Sequence, residues 1–404
     1  MEEITFIHCA DLHLDSPMLG LKNLPASIRT RLRESTFTSF KRIVDAAIAK
    51  QVDFVLIAGD IYDGEDRSLR AQILFRKEME RLNTHDIEVY IIHGNHDHLS
   101  GKWLEISFPD NVHIFPSEVT VFEHKKNNVK IHLYGFSYEA RHLYDRRINN
   151  FEKKTGADYH IGILHGSLEG NNDHSPYAPF NLQELASKKM DYWALGHIHK
   201  RAVLQTDPPV VYAGNIQGRH KKETGEKGCY YVKLRDREAE LEFIPTAACL
   251  WKSVKIDAAT AKNADELLTL CQIAQSGERD QGLPVIMSFD IVNAQGIGSF
   301  HAGELLEILQ GDEVNDSDFV WVSSMSISES NSWNKEKLEA DSAFFAELFN
   351  AVTETDAVVD AVSPLYRHPG AHRYLSELTD TEKQELAEEA EQLLLNMLNG
   401  ASRG

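Results

Sequence analysis

Short apolar runs alternate with helical patterns along the first 200 residues. Between the first two runs, residues 24–51 carry apolar positions at helical spacing after Pro25, which predicts a helix. The runs are rich in β-branched or aromatic residues and close at glycine or a polar cluster, which predicts strands. This alternation indicates an α/β core. The predicted strands are ITFIHC (4–9), DFVLIAG (53–59), IEVYIIHG (87–94), KIHLYGF (130–136), HIGILHG (160–166) and YWALGH (192–197).

The pattern changes after residue 200. Hairpin-like runs follow there, and they predict a second sheet packed beside the first. A domain boundary is expected at residue 247. Beyond it, helices around 261–275 and 301–309 and two apolar strands predict a smaller α+β capping domain over residues 248–332. The hairpin-like runs are RAVLQT, PVVYAG, GCYYVKL and AELEFIP, and the later strands are PVIMSFDIV and DFVWVSSMSI.

The last part of the chain, residues 333–404, is predicted to be an acidic helical segment. Its final stretch is TDTEKQELAEEAEQLLLNMLN, in which Thr379 or Thr381 can cap a helix. Leucines at helical spacing give this helix an apolar stripe. The stripe consists of Leu386, Leu393, Leu394 and Leu398.

Composition narrows the class of protein. A chain of 404 residues exceeds the usual span of one hydrophobic core, so two or three domains are expected. No apolar run approaches the roughly 18 residues of a membrane span, and the acidic start MEEITF argues against a signal peptide, so we expect a cytoplasmic protein. The four cysteines stand singly, without a C-x-x-C pair. We therefore expect buried small side chains and neither disulfides nor a zinc ribbon.

Charge is distributed unevenly along the chain. The net charge of -20 divides into 32 Lys+Arg against 35 Asp+Glu over residues 1–250 and 10 against 27 over residues 251–404. Histidine has the opposite bias, with 16 of 19 residues before position 250. The nearly neutral, histidine-rich part is therefore the candidate for chemistry. The acidic part suits a basic protein surface better than DNA, although acidity that merely keeps a surface soluble explains it equally well.

Five of the predicted strands end in metal-binding residue types. In open α/β sheets, functional groups collect beyond the carboxyl ends of the strands. Each motif alone is weak evidence, whereas five together indicate a site. Seven ligand-type side chains suit two ions that share a carboxylate, and the mixture of carboxylate, imidazole and amide favours manganese, iron or zinc over magnesium. The seven are Asp11, His13, Asp60, Asn95, His165, His197 and His199.

The same residues carry a family resemblance over about the first 215 positions. Asp11-x-His13, Gly59-Asp60, Gly94-Asn95-His96-Asp97, His165 and Gly196-His197-x-His199 resemble the calcineurin-like metallophosphoesterase signature. The runs ADLHLDSPM, GDIYDGEDRSLRAQ, GHIHK and GRHKKETGEKGC resemble the SbcD-type DNA-repair exonucleases, and most closely their YhaO-like bacterial branch. The resemblance implies a two-sheet β-sandwich flanked by helices in four layers, a capping domain, and a C-terminal segment that engages an SMC-like ABC ATPase. It also implies a homodimer.

The resemblance also implies roles for single residues. One ion would be held by Asp11, His13, Asp60 and His199, and the second by Asp60, Asn95, His165 and His197, with Asp60 as the bridge. Two cations lower the pKa of a bridging water enough to supply hydroxide at neutral pH. His96 would face the substrate and protonate the leaving oxygen, with Asp97 orienting its ring. Asp63 is a further candidate for a supporting role.

Basic residues near the predicted site are candidates for DNA contacts. The densest run comprises Arg219, His220, Lys221, Lys222 and Lys227; contact with DNA phosphates and a solvated hairpin surface are both open. The run RHLYDRR, with Arg141, Arg146 and Arg147, is better explained as a solvated face. Just before the first run, Asn215-Ile216 departs from the Gly-Ser or Gly-Thr-Pro of the family pattern. A differently shaped loop is therefore expected there.

Three functions follow as hypotheses. The favoured one is a manganese-dependent DNA nuclease that acts as an exonuclease, with endonuclease activity as an additional hypothesis. A phosphodiesterase or phosphatase of the same fold, acting on small nucleotides or phosphoproteins, is the alternative, because one fold serves many substrates. The third is an interaction protein that tethers an ATPase through its C-terminal helices.

Overall fold

The computed structural model describes most of residues 2–328 and scattered residues between 342 and 390. The gaps within 2–328 fall at 22–23, 65–67, 102–103, 105, 171–176, 237, 280–281, 295–301 and 314–317. The chain divides into two compact units, Met1–Glu169 with Pro176–Ser330 and Gly170–Ser175 with Asn331–Gly404. Most of the predicted segment 333–404 lies outside the described residues. This includes Thr379, Thr381, Leu393, Leu394 and Leu398.

Twelve strands of the first unit form two sheets. They are β1 (Ile4–Cys9), β2 (Phe54–Ala58), β3 (Glu88–Ile92), β4 (Val112–Ile114), β5 (Thr120–Lys126), β6 (Val129–Gly135), β7 (Tyr159–His165), β8 (Tyr192–Gly196), β9 (Ala202–Thr206), β10 (Pro209–Tyr212), β11 (Gly228–Arg235) and β12 (Glu238–Pro245). Three helices flank them, and a 3-10 turn lies at Arg147–Asn150. The helices are α1 (Ala26–Ala49), α2 (Leu69–Asn83) and α3 (Leu182–Ser187).

The two sheets share a run of four parallel strands but differ at their edges. The first has the order β12-β11-β1-β2-β3-β4 and the second β5-β6-β7-β8-β10-β9. In each sheet four strands are parallel, β1 to β4 in the first and β6, β7, β8 and β10 in the second, and antiparallel strands complete the edges. The prediction that the hairpins after residue 200 form the second sheet is wrong for β11–β12 and holds only in part for β9–β10, which joins strands from the first 200 residues there. The hairpin β11–β12 fills the free edge of β1, whereas β9–β10 fills the free edge of β8.

The layers are held by separate apolar cores. One core lies between the sheets and includes Phe6, Leu56 and Ile161, all fully buried. A second packs α1 and α2 on the outer face of the first sheet, and a third packs α3 and the 3-10 turn on the outer face of the second. Strands covered on both faces read as continuous apolar runs, as β1, β2 and β8 do. The predicted four-layer sandwich is confirmed.

Local sequence signals mark the N-terminus of each of the three helices that flank the sheets. Pro25 precedes the first turn of α1, a position where its missing N–H costs nothing. The Ser68 side chain accepts a hydrogen bond from the Ala71 backbone N–H and caps α2. Asn181 and Glu184 form a reciprocal capping box at the start of α3.

A third sheet follows the sandwich. Its strands β13 (Leu250–Asp257), β14 (Val285–Val292) and β15 (Val320–Ile327) are parallel, and α4 (Ala264–Arg279) and α5 (Ala302–Gly311) pack on them around their own core. Trp251 joins this region to the sandwich, because its ring packs with Ile28 and Leu32 of α1 and its Nε1 donates to the Gly218 carbonyl at 2.9 Å. The predicted domain boundary at 247 lies within the first compact unit and stays a prediction.

Two further expectations concern the whole chain. All four cysteines are free and buried, as predicted. Over the parts of the chain that the structure describes, no helix has both the length and the apolar character needed to span a bilayer.

Candidate metal centre

The loops that follow five parallel strands bring the predicted ligands to one edge of the sandwich. Four of the ligands, Asp11, His13, Asp60 and His197, have left-handed backbone conformations, with φ of 51°, 42°, 50° and 98°. Asp and His are among the residues that tolerate this region best, although it still costs energy. Backbone strain at four neighbouring loop positions is typical of a functional site.

Glycines make room for these side chains. A Cβ on Gly94 would collide with the Asp60 carboxylate and the His165 ring, and a Cβ on Gly59 would collide with the same ring. Gly59 also has a φ of +91°, which side chains rarely adopt. The glycine beside each ligand loop is therefore required by the close approach of the ligands.

One group of predicted ligands is formed by Asp11, His13 and His199. Each offers a ligand atom within 4.8 Å of the others. His13 Nε2 and His199 Nε2 are 3.1 Å apart. Ligands bound to one ion at about 2.1 Å have a similar separation from each other.

A second group surrounds Asn95 Oδ1. This oxygen lies 3.0 Å from His165 Nε2 and 3.3 Å from His197 Nδ1. Asp60 Oδ2 lies 3.4 Å from His165 Nε2 and 3.9 Å from His13 Nε2. Asp60 therefore stands between the two groups, in the place that the predicted bridging role requires.

Hydrogen bonds at the outer ring nitrogens fit these histidines to cations. His165 Nδ1 donates to the Ala58 carbonyl at 2.9 Å, and His199 Nδ1 donates to Glu223 Oε1 at 2.6 Å. In the neutral tautomer with its proton on Nδ1, each ring directs its Nε2 lone pair at another acceptor atom. A cation bound between them would remove this repulsion. Histidine ligands in metalloproteins are held in the same way. All seven predicted ligands converge here, and their coordination of metal stays a prediction.

The charges around Asp60 keep it ionised. Burial opposes the charged form, but the neighbouring His165 imidazole outweighs burial and lowers the pKa of Asp60 well below its ordinary value. Burial opposes the imidazolium of His165 as well, and there the Asp60 and Asp11 carboxylates raise the pKa of His165 to about 9. Burial, reinforced by the Arg219 charge, lowers the pKa of His13 to about 3, which favours its neutral, ligand-competent form.

The structure corrects the predicted partner of His96. The carboxylate beside this ring belongs to Asp63, whose Oδ1 lies 3.0 Å from His96 Nδ1. Burial disfavours the charged ring, but the hydrogen bond to Asp63 and the Asp60 charge outweigh burial and raise the pKa of His96. His96 itself is partly exposed and edge-on to His13, at the rim of the centre.

Asp97 has a different function from the one predicted. Its carboxylate is fully buried and accepts hydrogen bonds from the backbone N–H groups of Gly94, at 2.7 Å, and Ile61, at 2.9 Å. It also lies 3.0 Å from His93 Nδ1. Asp97 thus ties the loop after β3 to the loop after β2, because one carboxylate can accept several bonds at once.

The basic run 219–227 turns partly inward. Arg219 is buried, and its Nη1 lies 3.2 Å from Asp63 Oδ2 and donates to Ser16 Oγ at 2.8 Å. Lys227 is also buried and donates to the His199 carbonyl at 3.0 Å. The prediction of a solvent-facing phosphate contact is therefore wrong for Arg219, because its guanidinium supports Asp63. Lys221 and Lys222 are exposed and His220 is half-buried, so their DNA contacts stay predictions.

The residue that sequence reasoning missed is Glu223. Its Oε2 accepts from Asn215 Nδ2 at 3.0 Å and from the Arg219 backbone N–H at 2.6 Å, while its Oε1 holds His199. Asn215, the departure from the family pattern, thereby fixes a carboxylate behind a ligand. The only signal in the sequence was an acidic residue inside a basic run.

The second basic run is largely neutralised. Arg146 is paired with Glu169 and Glu184 at 3.1 and 2.7 Å. Arg147 lies over the Phe136 ring, and Arg141 is exposed. The predicted solvated face fits Arg141, the exposed member of this run.

Comparison with known proteins identifies the family. The family model described as calcineurin-like phosphoesterase matches residues 4–201. A protein of Bacillus subtilis (strain 168), "Uncharacterized metallophosphoesterase YhaO", is 40% identical over 408 residues, which cover 98% of each chain. The chain belongs to the calcineurin-like metallophosphoesterase family. It is therefore a hydrolytic enzyme of a family that uses two divalent metal ions.

More distant relatives match somewhat more than half of this metallophosphoesterase. The "DNA double-strand break repair protein Mre11" of Sulfurisphaera tokodaii is 25% identical over 245 residues, or 56% of this chain and 59% of that protein. The Mre11 of Methanocaldococcus jannaschii is 24% identical over 254 residues, or 59% and 65%. Among solved structures, a dimetal phosphatase from Danio rerio aligns over 60% of this chain and 99% of its own, with a TM-score of 0.35 and 14% identity.

Proposed function

We propose that this metallophosphoesterase is a DNA nuclease that hydrolyses phosphodiester bonds, acting as an exonuclease and also as an endonuclease. The observation that carries the proposal is the convergence of seven donor side chains, with His96 held on Asp63 at the same rim. The Mre11 relatives, whose names refer to DNA double-strand break repair, support the choice of DNA.

The metal ions belong to the two groups of donors that share Asp60. Manganese is proposed because the set mixes carboxylate, amide and imidazole donors; iron, zinc and magnesium are the alternatives. Two divalent ions supply charge neutralisation at the phosphate and a lowered pKa for water. Asp11, His13 and His199 would hold one ion with Asp60, and Asn95, His165 and His197 the other.

His96 is proposed as the general acid. Its Nδ1 is directed to Asp63, which leaves Nε2 for the substrate. Water adds its oxygen to phosphorus and releases a proton to solvent, the bond to the leaving sugar oxygen breaks, and that oxygen takes a proton from His96 Nε2, which solvent then reprotonates. Arg219 and Ser16 restrain Asp63, so the ring keeps one orientation through the step. Such proton transfer contributes about 10² to 10⁴ in rate.

Substrate class is tested by direct comparison. Manganese-loaded protein should hydrolyse linear duplex or single-stranded DNA, and a cyclic nucleotide should be turned over far more slowly at equal concentration. Preferential hydrolysis of the cyclic nucleotide would replace the nuclease by a small-molecule phosphodiesterase, because the same fold accommodates both.

An SMC-like ABC ATPase and a second copy of the chain are proposed as partners. The acidic charge after residue 250 supports a basic protein partner over DNA for that region. Deletion of residues 333–404 should abolish co-purification with the ATPase encoded in the same cell and leave DNA hydrolysis by residues 1–332 intact. Retention of the ATPase by the shortened chain would contradict the assignment. Sedimentation of the full chain tests the homodimer.

A further inference from the structure

Three aromatic rings beside the metal centre have no part in the hydrolysis proposed above. They belong to His142, Tyr144 and Tyr177, which we call the aromatic platform. Their centroids lie 5.8 to 6.1 Å apart in every pairing, and the planes are within 12° to 21° of parallel. His142 is exposed, Tyr144 is 61% exposed and Tyr177 is half-buried. Nearly parallel rings at these separations present a broad aromatic surface to solvent.

Hydrogen bonds hold the platform together before anything binds. The hydroxyls of Tyr177 and Tyr144 lie 3.1 and 3.4 Å from His142 Nδ1. The Ala178 N–H donates to the Leu143 carbonyl at 2.6 Å and joins the two chain segments that carry the rings. A surface that is already ordered loses little conformational entropy on binding.

The platform adjoins the metal centre. The Tyr177 ring stands edge-on to the ring of His197, with centroids 5.4 Å apart, and His197 is one of the predicted ligands. A nucleotide whose phosphate occupies the centre would extend its sugar and base over the surface beside the centre, where the platform lies. Arg141, the residue before His142, is exposed, so a cation lies next to the platform along the chain.

We propose that the aromatic platform stacks an unpaired nucleobase of the DNA strand whose phosphate enters the centre. This inference rests on the proposed nuclease function and extends it to a preference for single-stranded or frayed ends, because a paired base is already stacked in the duplex. Every base has a π-face, so stacking on aromatic side chains tolerates any sequence. A simple phosphate ester without a base has no use for this surface.

The test compares Tyr144→Ala with Tyr144→Phe and with the unsubstituted protein. Two oligonucleotides are used, a single strand and the same strand with abasic residues at the three nucleotides of each end. Tyr144→Ala should lower kcat/KM on the normal strand roughly five- to 100-fold, mainly through KM, since the ring is lost. On the abasic strand the effect should fall below about twofold, and Tyr144→Phe should behave as the unsubstituted protein does because it keeps the ring.

A binding readout separates this inference from the nuclease proposal. The fluorescence of a terminal 2-aminopurine, followed by stopped flow before turnover, should be quenched by the unsubstituted protein and not by Tyr144→Ala. Quenching without hydrolysis would contradict the nuclease proposal alone. Equal losses on the normal and abasic strands, or DNA hydrolysis that Tyr144→Ala leaves unchanged, would overturn the stacking proposal alone. If the unsubstituted protein neither quenches the fluorescence nor hydrolyses the DNA, both proposals are overturned.

Discussion

The two sides of the candidate metal centre are supported by different chemistry. On the charged side, Glu223 holds His199 at 2.6 Å and Asp63 lies 3.5 Å from His13 Nδ1. On the neutral side, the Ala58 carbonyl holds His165 at 2.9 Å and the Tyr177 ring packs against His197. A carboxylate behind an imidazole makes it a more basic ligand than a carbonyl does.

This difference indicates a division of work. The charged side is expected to hold its cation more strongly, and it also carries His96, which is proposed to donate the proton, and Asp63, which orients its ring. The neutral side adjoins the aromatic platform through the contact between the rings of Tyr177 and His197. Asp60 is the residue that both sides share.

The largest effect is expected from Asp60→Asn, which acts on both sides at once. Loss of the shared charge should lower hydrolysis at least about 10³-fold and reduce the bound metal below two ions per chain, because the charge that stabilises both cations is gone. Metal analysis and DNA hydrolysis measure this. The exposed Asp110→Asn is the matched control and should leave both unchanged. Full metal content in Asp60→Asn would contradict a bridging role.

The second effect is confined to the charged side. His96→Ala should lower DNA hydrolysis about 10² to 10⁴-fold while two metal ions remain bound, because the ring is proposed to move a proton and not to hold a cation. His85→Ala, an exposed histidine after α2, is the control. Asp63→Asn should lower DNA hydrolysis less, about tenfold, since Asp63 only orients the His96 ring. A His96→Ala variant that retained activity would remove His96 from the mechanism.

Sequence reasoning was more successful for the predicted metal ligands than for the residues that support them. The convergence of the seven predicted ligands could be predicted because parallel strands end at one edge of a sheet, and order along the chain then predicts proximity. Asp63 was named only as a candidate for a supporting role, the partners of Asp97 and Arg219 were assigned wrongly, and Glu223 was missed, because these contacts depend on how loops distant in sequence pack together. Neighbours in sequence, such as His96 and Asp97, point to different partners.

For the fold as well, local elements could be predicted from the sequence, whereas contacts between distant parts of the chain could not. Strands such as β1, β7 and β8 were predicted within one residue of their ends, since buried parallel strands are continuous apolar runs. The sheet that the hairpin β11–β12 joins was predicted wrongly. That choice depends on which strand edge is free in three dimensions, and no local pattern records it.

A smaller effect sharpens the comparison of the two sides. Glu223→Gln should lower the affinity for one manganese ion about 10- to 100-fold and change the affinity for the other less than about threefold. Only the charged side loses a carboxylate in this variant. Isothermal titration of chelator-treated protein with manganese measures both sites. The exposed Glu226→Gln, three residues away, is the control. Equal weakening of both ions would mean that the two sides do not differ.

The smallest effect concerns the exposed lysines of the run 219–227. Lys221→Gln with Lys222→Gln should raise the KM for DNA less than about tenfold and reduce the dependence of binding on salt by about two ions, without changing kcat. Lys125→Gln with Lys130→Gln on the β5–β6 hairpin is the control pair. An unchanged salt dependence would identify the run as a solvated surface.

The most direct test of the account follows metal content and DNA hydrolysis in one titration. Chelator-treated protein should be inactive, and added manganese should restore hydrolysis of single-stranded DNA as the second equivalent binds. His96→Ala should bind both equivalents and stay inactive. Protein that binds two manganese ions without hydrolysing DNA, or that hydrolyses DNA equally well after metal removal, would contradict the account.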